Sequence, residues 1–284
     1  MKNSKTKLVE LTTENITEYK SVLGAEAAEN IVRKYYRGIA LHEASNMSLL
    51  AALLWEKKQQ TAEISAFYMK DDEAGKALLA AYKEAIFAED MTDTVIELPA
   101  EGSEAVCSLL REMGFHLQER ESNEICLSVD ELSQLPVMET QNVTSEIRSI
   151  GSLTLPQMQK GLIRAHFGNK TGKMLTDLTA LPVSWFEPDI SCCVLQEGIV
   201  NGLLLIHKTE TDRLAVQLMY IEQNLSQVYI LRMIQFAVKR AREKYPADTQ
   251  VVVKCCNPEI KAFTEKLFRK KSEQIVIRGE KSER

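Results

Sequence analysis

Residues 62–78 read AEISAFYMKDDEAGKAL, and residues 214–231 read LAVQLMYIEQNLSQVYIL. Each is an apolar, strand-like run that passes through a short polar loop into a helix-like run, and the two lie about 150 residues apart. The likeness extends outward from both. The first copy continues from a strand over Glu63–Met69 to a helix over Ala74–Ala88, a turn at Asp93-Thr94, a strand over Val95–Leu98, an amphipathic helix and the pair Gly114-Phe115. The second runs from a strand over Leu214–Ile221 to a helix over Ser226–Tyr245, a turn at Asp248-Thr249, a strand over Gln250–Cys256, a helix and the pair Leu267-Phe268. A duplication this long predicts two domains of one fold and excludes a solenoid, whose repeats recur every 20 to 50 residues or so.

The flanking sequence agrees. In the first half, short strands are expected at Lys7–Leu11, Gly38–Glu43 and Ser48–Glu56, with two helices between the first two of these. Thr13 is an N-cap candidate and Gly24 a stop. Alternation at Leu117 and again at Ile125, Leu127 and Val129 predicts a closing hairpin. Residues 130–144 are polar and aperiodic and read as a linker, so the expected domains are 1–135 and 136–284. In the second half, helices are expected at Leu155–Ala165 and near Met174–Leu181, strands at Ser191–Gln196 and Asn201–Lys208, and a last strand at Gln274–Arg278. Ile230, Leu231, Ile234, Val238 and Ala241 recur at helical spacing and form a core stripe. The fold class expected is α+β, with a mixed, mostly antiparallel sheet flanked by helices in each domain.

Composition narrows the function. Of 284 residues, 45% are hydrophobic, so two domains with cores of their own are feasible without metal or disulfide staples. The net charge of −5 argues against an extended nucleic-acid surface, which needs an excess of Lys and Arg. No apolar stretch approaches the roughly 18 residues that cross a bilayer, and no apolar segment follows the first lysines as in a signal peptide. A cytoplasmic protein is the expectation. The six cysteines include no Cys-x-x-Cys spacing. Cys192-Cys193 and Cys255-Cys256 fall in strand-like runs, where neighbours point to opposite faces, so no metal site is expected from them. The four histidines are scattered.

The order of elements around Glu63–Ala88 and Val95–Phe115 resembles the GNAT acyltransferase fold, named for Gcn5-related N-acetyltransferases, and the resemblance covers most of both halves. It implies two tandem GNAT-like domains that bind acetyl-CoA, or another acyl-CoA, where a strand and the following helix splay apart. In that family the amides of the connecting loop and the helix N-terminus hold the pyrophosphate, a general property of converging N–H donors aided by the helix dipole. The implied cofactor-binding residues are Met69, Gly75 and Lys76 in the first half, and Asn224 and Ser226 in the second. Asn224 and Ser226 also suit an ordinary helix cap. Glu63, in Ala62-Glu63-Ile64, matches the glutamate that serves histone-type members as general base; an exposed strand carboxylate is the other reading. The matching position in the second half is Ala215.

Other positions depart from the family. Its phosphate loop, Arg/Gln-x-x-Gly-x-Gly/Ala, is replaced by Lys70-Asp71-Asp72-Glu73-Ala74-Gly75 and by Glu222-Gln223-Asn224-Leu225-Ser226-Gln227. Leu110 and Phe263 stand where the family often has an acidic tyrosine, and Asn257 lies close to a frequent family asparagine. His42-Glu43 reads as a solvent-facing pair or a cleft border. The loop Trp185-Phe186-Glu187-Pro188-Asp189 suits either a cationic amine, through aromatic faces and carboxylates, or a docking plug. The expected function is acyl-CoA-dependent N-acyl transfer to a small-molecule or peptide amine. The alternative is a GNAT-fold binding or scaffold protein that has lost its phosphate loop.

Overall fold

The computed structural model describes residues 6–139, 144–168, 178–255 and 258–283. The chain forms two compact units, Met1–Ser122 with Gln274–Arg284, and Asn123–Glu273.

Unit 1 contains β1 (Thr6–Glu10), α1 (Lys20–Leu23), α2 (Ala27–Ile31), β2 (Tyr36–Glu43), β3 (Leu49–Lys58), β4 (Thr61–Met69), α3 (Asp72–Ala88), β5 (Asp93–Pro99), α4 (Glu104–Glu112), β6 (His116–Glu121) and, from the end of the chain, β13 (Ile275–Ser282). Its seven strands lie in the order β1-β2-β3-β4-β5-β13-β6. Among them only β4 and β5 pair in parallel. One face packs Ile39, Leu53, Trp55 and Ile64 against Leu78, Tyr82 and Ile86 of α3 and Leu109 of α4. The other packs Ala40, Ala52 and Leu54 under Tyr19, Leu23 and Ala27.

Unit 2 contains β7 (Glu124–Ser128), α5 (Val129–Ser133), β8 (Ile147–Ser149), α6 (Leu155–Gly168), β9 (Cys192–Gln196), β10 (Ile199–Lys208), β11 (Leu214–Ile221), α7 (Val228–Lys244), β12 (Gln250–Lys254) and α8 (Pro258–Phe268). The six strands run β7-β12-β11-β10-β9-β8, and β11 and β12 form the parallel pair. Of the expected stripe, Ile234, Val238 and Ala241 lie on one sheet face together with Met233 and Ala237, and Ile230 packs at their edge, whereas Leu231 is not part of this cluster. Met158, Leu162 and Ala165 of α6 cover the other.

Two expectations are corrected. The closing hairpin does not form: β6 pairs with β13, whereas β7 pairs with β12 in the other sheet. The chain changes sheets at Ser122-Asn123, where the Ser122 N–H donates to Gln274 O at 2.8 Å and the Cys255 N–H donates to Asn123 O at 2.8 Å. Gly279 makes the insertion of β13 possible, since a Cβ there would come within 2.8 Å of Leu117 and 2.9 Å of Ile96. The linker reading of 130–144 is also revised. Ser128 and Glu131 form a capping box that starts α5, and Leu132 and Leu135 enter the unit 2 core. The expected boundary at 135/136 therefore falls inside unit 2. Residues 140–143 and most of the helix expected near Met174–Leu181 lie outside the described residues.

Candidate functional site

The same backbone device opens both sheets. β4 and β5 pair from Thr61↔Asp93 to Ile64↔Ile96 and no further, although β4 continues to Met69. At that point Leu54 pairs with Ala66 and Trp55 with Ile64, so Ser65 is an extra, bulged residue. In unit 2 the parallel pairing ends at Val216↔Val253, Leu205 pairs with Leu218 and Ile206 with Val216, and Gln217 is the bulge. A bulge bends its strand and resets the alternation of side chains. Ala62 and Ile64 face α3, but so do Phe67 and Met69, while Ala66 and Tyr68 turn to the other face. Leu214 and Val216, then Met219 and Ile221, show the same switch beneath α7. Each unit thus holds a splayed pair of parallel strands whose opening is bordered by a strand–helix loop.

The two openings differ in chemistry. In unit 1 only Lys70 and Asp71 separate β4 from α3. The Lys70 N–H donates to Leu50 O at 2.8 Å, and the Ala74 N–H donates to the Asp71 carboxylate at 2.9 Å. Asp72 and Glu73 add negative charge to the first turn. Carboxylates are favourable here for the helix dipole, but they repel an incoming phosphate and one of them already takes a donor it would use. The space is also closed: a Cβ on Gly75 would lie 2.5 Å from Leu109 and 2.8 Å from the Met69 sulfur. Gly75 lets α3 pack tightly on α4 and β4, and Met69 fills the gap. Lys76 turns away to Glu112, its Nζ 2.6 Å from the carboxylate. Met69, Gly75 and Lys76, expected from the resemblance as cofactor ligands, have structural roles in this geometry. Unit 1 does not fit a CoA pyrophosphate.

In unit 2 six residues, Glu222–Gln227, connect β11 to α7. The loop is tied at Glu222, whose N–H donates to Asn201 O at 2.8 Å, and at Leu225, whose N–H donates to Glu222 O at 3.0 Å. The backbone N–H groups of Gln223, Asn224, Ser226 and Gln227 have no hydrogen-bond acceptor among the described residues. Gln227, the N-cap, makes no side-chain cap, and the first turn of α7 carries no acid. Ser226 Oγ accepts from the Val228 N–H at 3.4 Å, a weak cap. Both Asn224 and Ser226 are exposed. Polar bonds anchor the helix start: Tyr229 OH donates to Glu146 at 2.5 Å, and Gln196 Nε2 reaches Glu146 at 2.9 Å and Tyr229 OH at 3.2 Å. The Tyr229 and Gln196 bonds hold the Glu146 carboxyl below the usual range. The Arg232 guanidinium lies over the Tyr229 ring, 5.2 Å from its centroid. Four open amides, a helix N-terminus and no acid in its first turn are the donor set that a phosphate needs.

The remaining expected residues are placed as follows. Glu63 precedes the bulge, pairs with Glu56 and Val95, and its carboxylate is 2.7 Å from Lys58 Nζ. Its counterpart Ala215 pairs with His207. His207 stacks on Trp185 at 3.7 Å between centroids, and its Nδ1 lies 2.6 Å from Trp185 O. The acids of the loop at 185–189 are engaged within the unit, against the cationic-amine reading: Glu187 accepts from Lys244 at 2.8 Å and Tyr245 at 2.5 Å, and Asp189 accepts from Lys244 at 2.9 Å. Phe186 is buried. The solvent-facing reading of His42 is corrected, because His42 is buried between Tyr19 OH at 2.8 Å and Met47 O at 2.9 Å. Asn257 lies outside the described residues. Sequence reasoning missed the bulges at Ser65 and Gln217; the nearest signal was apolar alternation slipping by one residue within each strand.

No protein-family model matches the sequence, and no curated protein matches it. Solved structures do resemble it in shape. A tandem GNAT protein from the clavulanic acid biosynthesis pathway is similar over 99% of both chains, with 10% identity and a TM-score of 0.67. A GCN5-related N-acetyltransferase from Sphaerobacter thermophilus covers 98% of this chain and 96% of its own, with 10% identity and a TM-score of 0.57. Another from Kribbella flavida covers 98% of this chain and 71% of its own, with 13% identity and a TM-score of 0.52. Among the described residues no helix is long and apolar enough to cross a membrane. With its two splayed, bulged sheets and these full-length likenesses, the chain has the tandem GNAT fold.

Proposed function

We propose that the protein is an acyl-CoA-dependent N-acyltransferase, acting on a small-molecule or peptide amine, with its cofactor cleft in unit 2. The observation that carries this reading is the loop Glu222–Gln227, four of whose amides have no acceptor among the described residues and which leads into a helix with no acid in its first turn. When bound, acyl-CoA supplies a thioester whose carbonyl an amine attacks to give an amide and free CoA. The residues of the chain bind and orient it. The amides of Gln223, Asn224, Ser226 and Gln227 meet the pyrophosphate, and the Glu146–Tyr229–Gln196 cluster holds α7 in place behind them. The β12-facing edge of Leu218–Ile221 has no strand partner among the described residues, which leaves backbone donors and acceptors for the amides of a pantetheine arm. Glu63 is not assigned the base: its carboxylate is engaged by Lys58, and its unit has no fitting phosphate loop.

A second reading, a binding or scaffold protein without turnover, is favoured by Ala215 and Phe263, which place no proton-transfer group at the family's two positions. Calorimetric titration with CoA, followed by an acyl-transfer assay over a panel of amines, separates the two. Saturable binding with thiol release supports the transferase. Binding without release on any amine supports the second reading. Absence of binding at millimolar CoA overturns the assignment of the cleft.

A further inference from the structure

The core of unit 2 contains a cavity of about 50 Å³ lined only by apolar residues. It lies between the sheet and α7, with Ile206, Val216, Met219, Val238 and Val253 among its walls. Val216 and Val253 are the last parallel pair before the strands part, and Met219 is the first residue past the bulge that faces α7. The cavity therefore reaches the apex of the opening assigned to the cofactor.

Unit 1 shows what normally fills this place. There Trp55 and Tyr82 meet edge to face, 5.3 Å between centroids, and Tyr82 OH lies 3.1 Å from Thr94 Oγ1. Register identifies the counterparts. Trp55 pairs with Ile64 as Ile206 pairs with Val216, and Thr94 pairs with Ala62 as Val251 pairs with Leu214. Tyr82 and Val238 are both the eleventh residue of a 17-residue helix. Ile206, Val238 and Val251 all line the cavity. Two aromatic rings and a hydroxyl in one unit are replaced by three smaller aliphatic side chains in the other. An empty apolar space of this kind stays dry and admits apolar ligands; a cavity of about 150 Å³ takes a benzene ring, so this one suits about two carbon atoms.

We propose that the cavity receives the tail of an acyl group one or two carbons longer than acetyl, so that unit 2 prefers propionyl- and butyryl-CoA over acetyl-CoA. This rests on the assignment of the acyl-CoA cleft to unit 2. The carbonyl stays at the apex, where an amine reaches it, and the methylenes lie among Val216, Val238 and Val253.

The test is calorimetry on the full chain with CoA and with acetyl-, propionyl-, butyryl- and octanoyl-CoA. Affinity is expected to rise about fourfold for each methylene from acetyl to butyryl, the effect of burying one CH₂, and to gain nothing further at octanoyl. Ala237→Leu and, separately, Ala241→Leu place carbon in the cavity. In each, the butyryl-to-acetyl affinity ratio should fall to within about twofold of unity, with thermal unfolding confirming a folded chain. CoA binding with an affinity independent of chain length overturns the inference while the cofactor cleft stands. A length dependence that survives both substitutions also overturns it, because the tail then lies elsewhere. If CoA itself does not bind, the cleft assignment falls and the inference falls with it.

Discussion

Units 1 and 2 share the strand order around their splayed parallel pair, down to the position of a one-residue bulge, although unit 1 has one strand more; yet they resolve the space around the bulge in opposite ways. Unit 1 closes its loop to two residues, caps α3 with Asp71, and packs Met69, Leu109, Trp55 and Tyr82 into the region where the strands part. Unit 2 keeps a six-residue loop with open amides and leaves a cavity at the apex. The difference teaches that the splay is a property of the backbone, set by the bulge and by where parallel pairing stops. Whether it accepts a ligand is decided by a handful of side chains at equivalent positions.

The comparison breaks first in the cores. Tyr82→Ala should lower the stability measured by denaturant unfolding by about 3–5 kcal/mol, because it opens a void and strands Thr94. Val238→Ala, at the matching position beside an existing cavity, should lose clearly less. Equal losses would mean that the two cores are packed alike. Next comes the loop. Ser226→Asp gives unit 2 the acid that unit 1 has, and should weaken CoA binding about tenfold through like-charge repulsion at a helix N-terminus. An unchanged dissociation constant in calorimetry would remove the loop from the site.

Asp71→Ala should lower stability by about 1 kcal/mol, the usual loss of a helix cap, and leave CoA affinity as it was. A fall in affinity would bring unit 1 back as a cofactor site. The smallest effect concerns Glu187. Burial acts to raise its pKa, but the bonds from Lys244 and Tyr245 outweigh it, and the carboxyl titrates below its ordinary value. A carboxylate with a depressed folded pKa stabilises above its unfolded pKa, about 4.3, and loses that contribution as pH falls through the folded value. The stability gap between the wild type and Glu187→Gln should therefore narrow below about pH 4.3. A gap independent of pH would show that the pair with Lys244 does not contribute.

Much of the architecture was legible because it depends on local periodicity. The stripe Ile230–Ala241, the run Glu63–Met69 and the polar loops between strand and helix announce themselves in single stretches, and their repetition identified two domains of one fold. The strand exchange was not legible. The alternation at Ile125, Leu127 and Val129 says that a strand exists, but backbone hydrogen bonds carry no label of their partner, and β12 won it over β6. Of the expected site residues, Asn224 and Ser226 lie on the loop that the proposed cleft uses, and their place there could be read from the polar run itself; that Leu109 and Met69 crowd Gly75 could not, because Leu109 comes from a helix more than thirty residues away in sequence.

By itself, then, the sequence determined the class of fold, its duplication and the departure of both loops from the family's phosphate motif, since these follow from spacing and composition along one stretch of chain. Only the tertiary structure decided which unit remains open. That depends on volumes contributed by residues far apart in sequence, Trp55, Tyr82 and Thr94 in one core and Ile206, Val238 and Val251 in the other, and close packing is a property of the set and of no single member.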